Sequence, residues 1–304
     1  MGINVNGALF LAYAKSLGVD FRRTMMIGRQ NLYLTHEEMA YALGAFGQRP
    51  DADVLTEICD GSAGFSDNLL RHLGARDVHA LDYSSYQSPT HIHDMNEPVI
   101  ESMNEQYTVV LDGGSLEHVF NFPVAIRNCM EMLAVGGHYL AITPANNFFG
   151  HGFYQFSPEL YFTVLSQENG YHVERMIAFE EVERPTWYTV KSPREAGGRV
   201  TLSNAKPVYL LVIARRVAKI PIFQKPPVQS DYAALWNAAT VEAREPKAGT
   251  SSNRPLPIRL AKVILPVELR RFLRSVVTPR PRPRGSVRFD PEFFTPMDLP
   301  LNQR

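Results

Sequence analysis

The chain has 304 residues, enough for one large core or for a core of about 200 residues with an appendage, and the second arrangement is expected here. Lys plus Arg and Asp plus Glu balance at 31 each, which argues against a nucleic-acid or strongly acidic partner, although residues 254–288 alone hold ten basic side chains against one acid, Glu268. Two cysteines, no run as long as a membrane span and no basic residue ahead of the apolar "ALFLAYA" exclude a disulfide framework, a cysteine metal site and a cleaved leader, so a cytoplasmic protein is expected.

Residues 1–50 read as a helical N-terminal segment. "ALFLAYAKSLGV" and "THEEMAYALGAFG" both space apolar residues near 3.6, and Thr35 followed by Glu38 forms a capping-box pattern. "TMMIGRQNLYL" between them predicts a short extended piece or loop. From residue 51 to 218 short apolar runs alternate with helical stretches. "DVLTEIC" is expected to be the first strand, "FSDNLLRHLG" a helix, "VHALD" the second strand and "THIHD" the third. "YTVVLD" follows as the fourth strand, then a helix over about 123–133, then "GGHYLAITP" as the fifth strand and "SPELYFTVLSQENG" as a helix. "YHVERMIAFEEV" and "KPVYLLVIARRV", with no full helix between them, predict an antiparallel hairpin. The fold class expected is therefore α/β: a Rossmann-like, mostly parallel sheet with an antiparallel C-terminal hairpin and helices on both faces. Residues 219–304 hold thirteen of the 22 prolines and read as a Pro/Arg-rich appendage rather than a second globular domain. Within it "PVELRRFLRSVV" predicts a short basic amphipathic helix, so that 257–288 is a surface for a membrane or a partner protein, with packing onto the core as the plainer use.

In an open parallel sheet, ligands bind outside the carboxyl ends of the strands, which directs attention to the residues after each strand. "EICDGSAG" places Glu57, Gly61 and Gly64 after the expected first strand, an imperfect glycine loop with Cys59 where a first glycine belongs. The second strand ends in Asp82 and Tyr83, 21 residues past Gly61 in the case of the aspartate, a spacing suited to a ribose-binding carboxylate; a helix-capping aspartate is the plainer alternative. After the third strand, Asp94 suits an adenine amino group and Met95 its ring face. His91 and His93 lack a third ligand, so no metal is expected.

"DGGSLEHVF", from Asp112 to Phe120, turns on paired glycines and then sets Glu117 and His118 side by side. Here the sequence resembles the class I S-adenosylmethionine-dependent methyltransferases of the small-molecule type, and "MEMLAVGGHYLAITP" and "ANNFFGHGFYQFSPELYF" extend the resemblance, which covers roughly residues 53–217. It implies S-adenosyl-L-methionine as cofactor, with backbone at Gly61 and side chains of Glu57, Asp82, Tyr83, Asp94 and Met95 around it and Asp112 with Gly113 beside its methionine part. A methyl acceptor that must lose a proton needs a base, and His151 and His118 are the candidates, His118 also being suited to orienting the cofactor loop. Asn146, Asn147, Tyr154 and Gln155 are the expected contacts of a small polar acceptor, a sugar or sugar-containing intermediate, with O-methylation favoured. Two other functions fit the sequence: a non-catalytic binding or assembly protein on the same fold, and an NAD-dependent oxidoreductase resting on "CDGSAG" and Asp82.

Overall fold

The computed structural model describes residues 2–182, 185–233 and 289–299. The chain opens with a two-residue strand β1 (Gly2–Ile3) and helix α1 (Val5–Ser16), whose start is fixed by the Asn4 side chain accepting from the Gly7 amide at 3.1 Å. It continues through β2 (Arg23–Ile27), β3 (Asn31–Leu32), α2 (His36–Gly44), α3 (Ala52–Asp60), α4 (Asp67–His72), β4 (Asp77–Asp82) and β5 (His91–Ile92). The second half comprises β6 (Tyr107–Asp112), α5 (Phe122–Met132), β7 (Leu133–Asn146), α6 (Pro158–Val164), β8 (Tyr171–Glu180), β9 (Tyr188–Val190), β10 (Val208–Arg216) and β11 (Phe294–Pro296).

Among the described residues nine strands form one sheet in the order β11-β9-β8-β10-β7-β6-β2-β4-β5, and β1 pairs with β3 apart from it. From β7 to β5 all neighbours are parallel, whereas β10 lies antiparallel between β7 and β8. This is the Rossmann-like, mostly parallel sheet with an antiparallel C-terminal end that the sequence predicts. Each strand sends alternate residues to opposite faces, as the two-residue period requires. On β10, Leu210, Val212 and Ala214 join one core with α5 and α6, while Leu211 and Ile213 join the other with α1 to α4.

Two expectations are overturned. The first strand is not "DVLTEIC" but "RTMMI", the central strand of the sheet, with Met25 and Met26 buried on opposite faces. Residues 1–50 are thus no separate helical segment: they supply the middle of the sheet and the buried helix α1 that covers it. "DVLTEIC" is α3, capped by Asp51, whose carboxylate accepts from the Val54 amide at 2.9 Å. The reason is visible in its spacing: Val54, Leu55, Ile58 and Cys59 make a helical stripe, not an alternating one. The capping box at Thr35 and Glu38 is present on α2.

At the antiparallel edge, β9 occupies part of the stretch expected to be a long loop, and it pairs with β11 from the far end of the appendage. Phe289 stacks on Tyr188 with ring centres 4.0 Å apart, and the Met297 amide donates to the Trp187 carbonyl. The appendage therefore closes the sheet edge at its end. The predicted amphipathic helix lies outside the described residues.

Candidate functional site

The sheet changes direction between β2 and β6: the chain steps from β2 outward to β4 and β5, then returns to the other side. That switch point is where an open α/β sheet leaves a crevice. Strand register fixes what lines it. Ile27 pairs with Leu81 on one side and Asp112 on the other, and Asp82 pairs with Ile92. With about 4.8 Å between neighbouring strands, Asp112 and Asp82 stand roughly 10 Å apart along one rim and the Ile92–Asp94 end roughly 14 Å from Asp112. Asp82, Tyr83, Asp94, Met95, Asp112 and Gly113 thus follow strand ends along one rim.

Glu57 and Gly61 do not. Glu57 is exposed on α3, and Gly61 is the C-cap of that helix, where an added Cβ would meet the Glu57 carbonyl oxygen at 2.5 Å. "CDGSAG" therefore ends a helix instead of following a strand, which removes the glycine signature of the dinucleotide reading. Gly28, Arg29 and Gln30 take its place after β2. Gly28 has a φ of +69° and donates its amide to the Leu81 carbonyl at 2.8 Å. Arg29 pairs with Asp67 at 3.2 Å and lies over the Phe65 ring. Gln30 is fully buried, its Nε2 donating to the Ile27 carbonyl at 2.8 Å and to Ser115 Oγ at 3.3 Å, while its Oε1 faces Gly113. The signal for this segment was the apolar "TMMI" ending in glycine; only the sheet order shows that it leads into the crevice.

Individual rim residues are held in distinct ways. Asp82 takes the Tyr83 amide on Oδ1, leaving Tyr83 exposed. Asp94 accepts from the Asn96 amide and side chain, which hold its carboxyl below the usual carboxylate range, and Met95 is buried beside Asn128. Asp112 turns inward. Its Oδ1 accepts from the Ser115 amide at 2.8 Å and Tyr139 donates to Oδ2 at 3.3 Å, so it shapes the turn after β6 from beneath. Burial raises its pKa to about 6 despite those hydrogen bonds.

Beyond that turn, Glu117 is buried at 1 % exposure, and burial together with the Asp112 charge raises its pKa to about 8. Its Oε1 lies 3.5 Å from His151 Nε2, and the His151 and His118 rings stand 5.1 Å apart. Burial, and then His151, lower the pKa of His118. The loop after β7 is clamped to this turn: the Phe153 and Tyr154 amides both donate to the Glu117 carbonyl. The rim brings His118 and His151 together, with Glu117 as the member that joins them.

The expected acceptor contacts are engaged within the protein. Asn146 and Asn147 donate to Asn204 Oδ1, each at 2.8 Å; Tyr154 donates to the Phe120 carbonyl at 2.6 Å; and Gln155 accepts from the Phe148 amide at 2.8 Å. They shape the loop that carries His151. Exposed Tyr83, Ile92, Phe120 and Phe153 add apolar surface along the same rim. His91 and His93 diverge: His93 bonds the Glu97 carbonyl, and His91 approaches Tyr107.

Solved structures with a similar course of chain include the MccD protein (11 % identity over 68 % of this chain and 96 % of that one, TM-score 0.39). The N-methyltransferase NodS from Bradyrhizobium japonicum WM9, in complex with S-adenosyl-L-homocysteine, is similar at 14 % identity over 69 % of this chain and 86 % of that one, TM-score 0.35. The branched-chain polyamine synthase from Thermus thermophilus is similar at 13 % identity over 76 % and 62 %, TM-score 0.33. The likeness reaches the fold alone. No protein-family model matches the chain, and no curated protein matches it. Among the described residues no helix is long and apolar enough to cross a membrane.

Proposed function

We propose that the chain is an S-adenosylmethionine-dependent methyltransferase acting on a small polar acceptor, a sugar or sugar-containing intermediate, at an oxygen. One observation carries this reading. The rim at the switch point has a carboxylate at the end of β4, suited to a ribose, and a Glu117–His118–His151 cluster at the other end, suited to an acceptor hydroxyl.

The residues present fit the cofactor in part. Asp82 would take the ribose hydroxyls, Asp94 and Met95 the adenine, and the Gly28 backbone, in place of Gly61, the tail. When bound, that cofactor supplies a methyl group activated by a sulfonium. The protein's share is alignment: the clamp between the Glu117 carbonyl and the loop after β7 holds the histidines at a set distance from the strand ends. His118 and His151 assist the acceptor hydroxyl in losing its proton.

Gln30, packed against Gly113 where a glycine loop would leave room, favours a second reading: a binding or assembly protein on the same fold, without turnover. Calorimetric titration with S-adenosylmethionine, S-adenosylhomocysteine and NAD separates the readings. Binding of the sulfur nucleosides, weakened in Asp82→Ala by at least about 30-fold for a loss of ~2 kcal/mol in hydrogen bonds to a charged group, supports the first. Binding of neither supports the second, and binding of NAD alone would restore the oxidoreductase.

A further inference from the structure

The Glu117 carboxylate is almost wholly shut off from solvent, and among the described residues its Oε2 has no hydrogen-bond partner. A buried carboxyl oxygen left without a partner is costly whether the group is neutral or charged. Among the described residues its one ion-pair partner is His151, at 3.5 Å. One donor atom from each of Glu117, His118 and His151 can be chosen so that all three lie within 4.8 Å of one another, the one such grouping among the described residues. Three ligands at about 2.0–2.2 Å from a tetrahedral ion stand roughly 3.4 Å from one another, close to the Glu117–His151 separation already present.

The frame behind these donors is set. His118 follows Glu117 directly in a short 3-10 turn, with its amide on the Ser115 carbonyl. His151 is carried over Glu117 by the two amides on the Glu117 carbonyl and by Gly152, whose φ of +71° lets the backbone pass so close that a Cβ would stand 2.8 Å from that carbonyl oxygen. Glu117 forms the floor, while His118 and His151 are exposed, the latter's side chain at 43 %. An ion held by all three would face the rim with its remaining positions open.

We propose that Glu117, His118 and His151 bind a divalent transition-metal ion, zinc(II). Two imidazoles and one carboxylate with an open position are a catalytic zinc set and do not suit magnesium or calcium, which take oxygen ligands. The role of the ion rests on the methyltransferase reading, though the site does not. An acceptor hydroxyl on the ion gives its proton to solvent and keeps the electron pair on oxygen, which then forms the bond to the methyl carbon as the carbon–sulfur bond breaks, its pair going to sulfur.

The test is titration of the chelator-stripped full chain with zinc(II) by calorimetry and with cobalt(II) by visible absorption. One zinc ion per chain is expected, along with a cobalt spectrum of low coordination number. Affinity should fall roughly a hundredfold or more in His151→Ala, His118→Ala and Glu117→Gln, with His93→Ala unchanged. His151→Ala alters an exposed loop side chain and keeps the test valid if Glu117→Gln fails to fold. No zinc binding, binding that survives His151→Ala, or binding equally lost in His93→Ala would overturn the proposal. Sulfur-nucleoside binding is measured separately, so the loss of either result leaves the other standing.

Discussion

Gly113 packs directly against Gln30, and replacing it measures how firmly Gln30 is seated. A Cβ at Gly113 would lie 2.6 Å from Gln30 Oε1 and 2.7 Å from its Cδ, far inside ordinary contact. Gln30 is fully buried and its Nε2 is fixed to the Ile27 carbonyl and Ser115 Oγ, so displacing it costs those bonds. Gly113→Ala must therefore break those bonds, at about 1 kcal/mol each, or force overpacking of about 1–3 kcal/mol, so the loss should be ~1–3 kcal/mol. Gln30→Ala alone loses the same bonds and leaves a void. In the double variant the new methyl enters that void, so its loss should fall short of the sum of the single losses by about 1–3 kcal/mol. Urea denaturation of the four proteins reads this directly. A Gly113→Ala protein within about 0.5 kcal/mol of the parent, or strictly additive losses, would refute the packing argument.

Gly152→Ala meets both a left-handed φ and the Glu117 carbonyl oxygen at 2.8 Å; it should lift the loop, cost ~2–3 kcal/mol and weaken turnover with little effect on nucleoside affinity, all checked by denaturation and paired titration. The raised pKa values of Asp112 and Glu117 mean that the folded chain holds these protons more tightly than the unfolded one. Their stabilisation is complete below the unfolded carboxylate range and is lost as pH rises through about 6 and then about 8. In a chelator, the urea midpoint should be higher at pH 5 than at pH 9, with the difference reduced in Glu117→Gln; an equal or higher midpoint at pH 9 would contradict it. Phe289→Ala removes the ring stacked on Tyr188 and should cost ~1–2 kcal/mol and loosen β11, seen as faster amide exchange at Tyr188–Val190.

The second half of the sheet was legible because β6, β7, β8 and β10 are long apolar runs with clear punctuation, and their order of helices and strands leaves few topologies. The first half misled. "RTMMI" is five residues long, and nothing within it says that both its edges will be paired. "DVLTEIC" has the length of a strand and a glycine turn after it, and only its 54, 55, 58, 59 spacing betrays the helix. At the site, the rule that ligands sit beyond strand ends directed attention to Asp82, His118 and His151, which follow β4, β6 and β7. What it could not supply was side-chain direction. Asp112 turns under its own loop, Gln30 reaches across to residues 85 positions away, and Asn146 and Asn147 are held by residues 57–59 positions on, none of which leaves a local trace.

The place of β2 at the middle of the sheet has a consequence during synthesis. Its two neighbours are β4 and β6, so a growing chain that has only just emitted Arg23–Ile27 has no partner for one edge until residue 82 has followed and none for the other until residue 112. Met25 and Met26 lack one of their two native sheet neighbours until then, and the far border waits longer still, until residue 296 arrives. A nascent polypeptide halted before β6 should thus be prone to self-association or in need of a chaperone, whereas one halted just after it already owns its central three strands.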